Sequence, residues 1–96
     1  MDPRRVQVKE IECVIRNQMG LHVRSASKLS KVASKFKAEI FVSYGGLEVN
    51  AKSVLGVMML AAEEGATIKF RAEGADEDQA LAALKDLVDG KFGGEP

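Results

Sequence analysis

The fold is decided by residues 38–50, which read AEIFVSYGGLEVN. The run Ala38–Tyr44 is rich in β-branched and aromatic residues, which favour extended strands. It ends at Gly45-Gly46, a dipeptide typical of the two-residue turn of a hairpin, and Leu47–Asn50 is short enough to be the return strand. The stretch therefore predicts a β-hairpin and, with it, antiparallel strand pairing.

Two further strands are predicted on either side of the hairpin. Val6–Ile15 alternates well enough for a strand that has Ile11, Cys13 and Ile15 on one face. Thr67–Glu73 alternates apolar with basic residues, which is typical of a strand with one buried face.

Three segments have the periodicity or the end signals of helices. Val23–Lys35 has apolar residues at helical spacing with lysines on the opposite face. A short apolar helix is predicted over Val54–Leu60, and the last helix follows Asp76, which resembles a capping box with Gln79 three residues later. The element order is βαββαβα. This order predicts an α+β fold, a four-stranded antiparallel sheet that carries its three helices on one face.

The length and composition fit one domain. The 96 residues are 46% hydrophobic and 29% charged, which is ordinary for a globular protein. Residues 1–5 and 93–96 are expected to fray, the latter as part of a tail that begins at Lys91. No apolar run reaches membrane-spanning length, and the start does not resemble a signal peptide, so we expect a cytoplasmic protein with no membrane insertion.

The single cysteine and the single histidine limit the chemistry. Cys13 has no partner for an intramolecular disulfide, and its place in an alternating strand favours a buried structural thiol. One Cys and one His make no metal constellation, and we expect neither a metal site nor a cofactor.

Charge is distributed unevenly along a chain of zero net charge. Residues 16–37 contain six basic residues and no acidic one, whereas residues 63–89 are rich in acids. A basic face suits a phosphate group or an acidic protein surface. Nucleic acid is disfavoured, because the aromatic residues are few and lie mostly at core-periodic positions.

His22 lies in GLHVR, residues 20–24, between a turn and the first predicted helix. A neutral imidazole is nucleophilic, and a helix amino terminus offers free N–H groups to an incoming phosphate. Arg24 adds a guanidinium that can bind phosphate oxygens. Taken alone, these residues leave a solvated or capping histidine and a phosphoryl-accepting one equally open.

Two segments together resemble a known family. Residues 20–26, GLHVRSA, resemble the Gly-Leu-His-Ala-Arg-Pro-Ala motif of HPr, the histidine-containing phosphocarrier of the bacterial phosphotransferase system. Residues 49–58, VNAKSVLGVM, are similar to the second motif of that family, around its regulatory serine. The resemblance runs from about residue 8 to residue 92. Val23 and Ser25 depart from the family's Ala and Pro, and we expect Ser25 to loosen the first turn of the helix.

The resemblance implies an open-faced β-sandwich and a carrier that is not itself an enzyme. It implies that His22 receives a phosphoryl group from phospho-enzyme I and delivers it to the A domains of sugar-specific permeases. Arg24 would stabilise the phosphoryl group. Ser53 would be phosphorylated by an HPr kinase/phosphorylase, although capping of the following helix is an equally open role for this serine.

The surface around these motifs predicts where partners bind. A short helix as apolar as Val54–Leu60 either buries nearly every side or leaves an exposed patch. We expect Val54, Leu55 and Met58 to contact partners, with Lys31 supplying attraction to acidic surfaces. Three hypotheses follow: a monomeric phosphocarrier for sugar uptake, a regulatory paralogue that signals carbon or nitrogen status, and an interaction module with an inert His22. The His-x-Arg pair argues against the third.

Overall fold

The computed structural model describes residues 9–96. These residues form four strands and four helices in the order βαββαβαα. The strands pair only antiparallel, in the sheet order β1-β4-β2-β3. This confirms the predicted α+β class and the open antiparallel sheet. The element bounds are β1 Lys9–Val14, α1 Val23–Ala33, β2 Glu39–Tyr44, β3 Leu47–Asn50, α2 Val54–Met59, β4 Thr67–Glu73, α3 Glu77–Asp89 and α4 Lys91–Gly94.

One face of the sheet is buried and the other is open. Ile68, Phe70 and Ala72 of β4 are fully buried and alternate with Lys69 and Arg71, which face outward. The helices cover the buried face, with α3 packed on β1 and β4 and α1 packed on α2 and α3. The shared core contains residues from every layer, among them Cys13, Ile15, Leu29, Ile40, Val42, Val57, Leu84 and Val88.

The hairpin is confirmed in detail. Tyr44 pairs with Leu47, so the connecting loop is the two residues Gly45-Gly46. Their φ values of 60° and 84° are both positive, as a type I′ turn requires. A side chain at either position would be strained, because L-residues rarely adopt this conformation.

Several strands and helices begin or end at other residues than predicted. The part of the predicted first strand at residues 6–8, and the predicted fraying of residues 1–5, lie outside the described residues. Helix α1 ends at Ala33 rather than Lys35, because Lys35 and Phe36 donate to carbonyls three residues back and tighten the chain into a turn. Helix α2 ends at Met59, one residue before the predicted Leu60.

Asp76 begins helix α3 but forms no capping box. Its side chain makes no cap hydrogen bond to the helix. Instead, its carboxylate accepts the backbone N–H groups of Lys37 and Ala38, both at 2.8 Å. These bonds keep the pKa of Asp76 below its usual range, with the Lys37 N–H as the largest cause. The expected capping box is therefore wrong, because the carboxylate satisfies the backbone that leads into β2.

The carboxyl-terminal segment, for which fraying is predicted, makes contacts with the core and with α1. Phe92 is fully buried in the core, and Glu95 pairs with basic residues of α1. Lys91 and Phe92 both have left-handed backbone, with φ near 55°, and this turns the chain back toward α1. Burial of a phenylalanine ring outweighs such local strain.

None of the helices between residues 9 and 96 combines the length and the apolar character that crossing a bilayer demands.

We predict that Asp76→Asn lowers the free energy of unfolding at neutral pH, because an amide binds two N–H groups less well than a carboxylate. The folded pKa lies below the unfolded one, so the stabilisation is present at neutral pH and is lost as pH falls through the folded pKa. Urea unfolding of both proteins at pH 7 and in strong acid measures this. Asp86→Asn, on the exposed side of α3, is the control. If Asp76→Asn lowered the free energy of unfolding equally at both pH values, the stabilising role of the ionised Asp76 carboxylate would be contradicted.

Candidate functional site

The turn before α1 is fixed against the segment that follows α2. Gly20 has a φ of 64°, and the Leu21 N–H donates to the Ala62 carbonyl at 3.0 Å. A Cβ atom at Gly20 would collide with that same carbonyl oxygen. Both the backbone conformation and the close approach therefore require glycine at this position. The contact places the start of α1 beside the end of α2.

His22 is the N-cap residue of α1. Its backbone is extended, with φ −100° and ψ −178°, and its side chain is partly exposed. Among the described residues, the Nε2 atom is buried and has no hydrogen-bond partner. The first N–H groups of a helix have no intrahelical acceptor, so the imidazole is next to groups that favour a bound anion.

Ser25 holds this turn together and does not loosen it. Its side chain is fully buried, and its hydroxyl accepts the His22 N–H at 2.9 Å and donates to the Gly20 carbonyl at 2.7 Å. The hydroxyl thus satisfies one backbone group on either side of Leu21. The prediction of a looser turn is wrong. It rested on the backbone N–H that serine has and proline lacks, and it left out the serine hydroxyl, which binds the turn.

Arg24 and Lys28 share one carboxylate. Glu95 Oε1 lies 2.9 Å from Arg24 Nε, and Glu95 Oε2 lies 2.7 Å from Lys28 Nζ. The pKa of Glu95 is lowered, chiefly by its hydrogen bond with Lys28 and then by the charges of Arg24, Lys28 and His22. The carboxylate therefore joins two basic residues of α1 to the end of the described chain.

Sequence reasoning missed Lys28 and Glu95 as site residues. Lys28 is one turn beyond Arg24 on α1, a spacing that alone could have suggested a shared ligand. Glu95 is 67 residues from Lys28 in sequence, and the segment anchored by the buried Phe92 brings it to α1. No local pattern could have found that contact.

Ser53 is the N-cap of α2, and its hydroxyl accepts the Gly56 N–H at 3.1 Å. The side chain is partly exposed. A hydrogen bond also joins α1 to the turn before α2, since Ser30 Oγ of α1 donates to the Ala51 carbonyl at 3.1 Å. Ser53 therefore belongs to the same surface region as α1, and the predicted capping role is confirmed.

The predicted docking residues separate into exposed and packed ones. Leu55 is 76% exposed, and Lys31 is exposed on α1. Val54 and Met58 are partly buried and pack against the core. Met59, 68% exposed and one turn from Leu55, was not predicted. Its helical spacing from Leu55 was the signal that could have found it.

Cys13 belongs to the hydrophobic core. Cys13 is buried, as predicted, and burial raises the pKa of its thiol. Residues 9–96 contain no cluster of His, Cys, Asp and Glu side chains that could hold a metal ion.

Residues 9–89 match the family profile described as "PTS HPr component phosphorylation site". The chain belongs to the HPr family. Its members are phosphocarrier proteins of the phosphotransferase system. The match includes both α1 with His22 and α2 with Ser53.

Individual relatives agree with this membership. The phosphocarrier protein HPr of Neisseria meningitidis is 47% identical over 77 residues, which are 80% of this chain and 86% of that protein. A Shewanella violacea protein named phosphocarrier protein NPr is 46% identical over 83 residues, 86% of this chain and 91% of that protein.

Solved structures confirm the fold. HPr from Thermoanaerobacter tengcongensis superposes with a TM-score of 0.87 at 44% identity, over 92% of this chain and 99% of that one. A second structure of HPr from that organism, described as a dimer, gives a TM-score of 0.73 at 44% identity, over 90% and 99% of the two chains.

We predict that Ser25→Ala lowers the free energy of unfolding of this HPr-family domain by about 1–3 kcal/mol, because it leaves buried polar groups of the turn without a partner. Ser27→Ala is the control on the same helix, since Ser27 is only partly buried. Urea unfolding of the two variants measures the difference. Equal stability of the two variants would show that the Ser25 hydroxyl does not hold the turn.

Proposed function

We propose that this HPr-family protein accepts a phosphoryl group on His22 from phospho-enzyme I and passes it to the A domains of sugar-specific permeases. The observation that carries the proposal is the position of His22 at the N-cap of α1, with Arg24 in the first turn of that helix. A nitrogen lone pair attacks phosphorus, the N–P bond forms, and the bond to the donor breaks. The reverse exchange then passes the group to an acceptor.

Nδ1 is the nitrogen that we propose as the acceptor. Nε2 is buried, which leaves Nδ1 as the other ring nitrogen available to a phosphoryl donor. For Nδ1 to carry the lone pair, the neutral imidazole holds its proton on Nε2. The protein then presents one nucleophilic nitrogen beside the N–H groups of the helix.

Arg24 is proposed to stabilise the phosphoryl group by charge-assisted hydrogen bonds. Its side chain is 65% exposed, which gives it freedom to reach a group on the imidazole. Solvent weakens such an interaction, so its contribution is smaller than that of a buried arginine.

Phosphoenolpyruvate and enzyme I are expected to label wild-type protein with an acid-labile, base-stable phosphate. His22→Ala should abolish the label, because it removes the acceptor nitrogen. Arg24→Ala should slow labelling about ten- to a hundredfold without unfolding the protein, since it removes a charged hydrogen-bond donor. Rapid-quench assays with a phosphoenolpyruvate radiolabel measure both. Full labelling of His22→Ala would refute the proposal.

Partner docking is proposed to centre on Leu55, with Val54, Met58 and the unpredicted Met59 around it and Lys31 at the basic edge. The support is the exposure of Leu55 and Met59 next to the turn that holds His22. Monomers rarely expose several large apolar side chains together without a binding role.

We expect Leu55→Asp to weaken binding of enzyme I roughly tenfold or more at any salt concentration, because it places a charge at an apolar contact. Lys31→Glu should slow association mainly at low salt, where screening is weak. Val14→Asp is the control, because Val14 is 43% exposed but belongs to β1. Stopped-flow binding distinguishes these variants. Wild-type affinity of Leu55→Asp would rule out this surface.

Phosphorylation of Ser53 by an HPr kinase/phosphorylase is proposed as regulation. The serine is partly exposed and lies beside Leu55, so a phosphate there adds a dianion to the docking surface. Desolvating that charge against a partner is unfavourable, and transfer to His22 should slow.

Ser53→Asp should remain folded and accept phosphate at His22 more slowly than Ser53→Ala. Aspartate still accepts the Gly56 N–H as an N-cap, whereas alanine loses the cap and about 1 kcal/mol of stability. Melting temperatures and enzyme I-dependent phosphorylation rates are measured side by side. Equal rates for two folded variants would contradict the regulatory role.

A regulatory paralogue that signals carbon or nitrogen status is the second candidate. The observation that favours it is the 46% identity to a protein named NPr. Transfer of phosphate from His22 to purified A domains of sugar permeases separates the two, since only a sugar-uptake carrier feeds them efficiently. In either role, we propose a cytoplasmic monomer that acts as a carrier and not as an enzyme.

A further inference from the structure

The carboxylate of Glu95 lies between the first two basic residues of α1, Arg24 and Lys28. Its oxygens lie 2.9 Å from Arg24 Nε and 2.7 Å from Lys28 Nζ. The Glu95 side chain is only 12% exposed, whereas the surface pair Lys85–Asp89 leaves its carboxylate 39% exposed. An enclosed carboxylate that bridges two cations is unlike an ordinary surface ion pair.

Other contacts fix the segment that carries Glu95. Lys28 Nζ also donates to the Phe92 carbonyl at 3.1 Å, and Asn17 Nδ2 donates to the Pro96 carbonyl at 3.1 Å. Phe92 anchors the segment in the core. Asn17 also donates to Gly20, so the same amide joins the turn before His22 to the carboxyl-terminal segment. The position of Glu95 is therefore built into the fold.

A phosphoryl group on His22 needs the cations that Glu95 holds. Arg24 is the proposed phosphate-binding residue, and Lys28 is one turn further along the same helix. A phosphoryl dianion and a carboxylate repel each other, so beside Arg24 they would compete for the same positive charges.

We propose, building on the proposed phosphorylation of His22, that Lys28 is a second phosphate-binding residue and that Glu95 is an internal competitor for the phosphoryl group. Glu95 holds Arg24 and Lys28 while His22 is unmodified, and the phosphoryl group displaces it. When the phosphoryl group leaves for an acceptor, Glu95 returns to both cations. The carboxylate thereby favours release of the phosphoryl group and keeps other anions off the site.

Phosphoramidate, a small phosphoryl donor, tests this without enzyme I. The imidazole nitrogen attacks phosphorus, the N–P bond to His22 forms, and the reagent's P–N bond breaks to release ammonia, which takes up a proton. Glu95→Gln should phosphorylate about threefold faster than wild type, because the cations are free to bind the anionic reagent. Lys28→Gln should be about threefold slower, and Lys28→Arg should restore the wild-type rate.

The matched control is Asp89→Asn, because Asp89 also lies between two cations, 3.0 Å from Lys85 and 3.9 Å from Arg16. It changes net charge by the same amount as Glu95→Gln and should leave the rate unchanged. A second readout is the NMR signal of the Arg24 Nε–H group. This signal should shift when wild-type protein is phosphorylated and should then match that of phosphorylated Glu95→Gln.

Unchanged rates in both Glu95→Gln and Lys28→Gln would overturn the inference, and so would an Asp89→Asn rate that rises as much as that of Glu95→Gln. Failure of phosphoramidate to modify His22 would also overturn it. If phosphoramidate phosphorylated His22 but phospho-enzyme I did not, the proposed function would be refuted. The phosphoramidate rates would still decide the roles of Lys28 and Glu95.

Discussion

Strand β4 pairs with both β1 and β2, so its alternation of buried and exposed residues sets the register for the whole sheet. A slip by one residue would expose Ile68, Phe70 and Ala72 and bury Lys69 and Arg71. The helices can cover only the face that β4 makes apolar. The site at the start of α1 depends on this constraint, because α1 and α3 share the core beneath it.

The turn that carries His22 shows how local polar groups are satisfied in this fold. The Ser25 hydroxyl, the Ala62 carbonyl and the Asn17 amide each bind backbone groups of residues 20–22. Such bonds fix the backbone that carries the His22 side chain. Under the proposed phosphorylation of His22, a preorganised acceptor loses less entropy when a phosphoryl donor arrives.

Two carboxylates illustrate why spacing alone misleads. Asp76 has the sequence spacing of a capping residue, yet it binds the backbone at Lys37 and Ala38. Glu95 lies in a stretch that reads as a loose tail, yet it bridges Arg24 and Lys28. In each case the carboxylate binds groups that are distant in sequence, and a local pattern does not contain them.

The sequence by itself determined the four strands, the first three helices and the position of His22. Alternation in Thr67–Glu73, the Gly45-Gly46 turn and the helical spacing after Val23 are local signals, and each depends on neighbours a few residues away. The tertiary structure alone decided the role of the Ser25 hydroxyl, the exposure of Met59 and the contacts of Glu95. These depend on segments that meet only after the core has formed, and burial of Phe92 is the physical reason that the last of them exists.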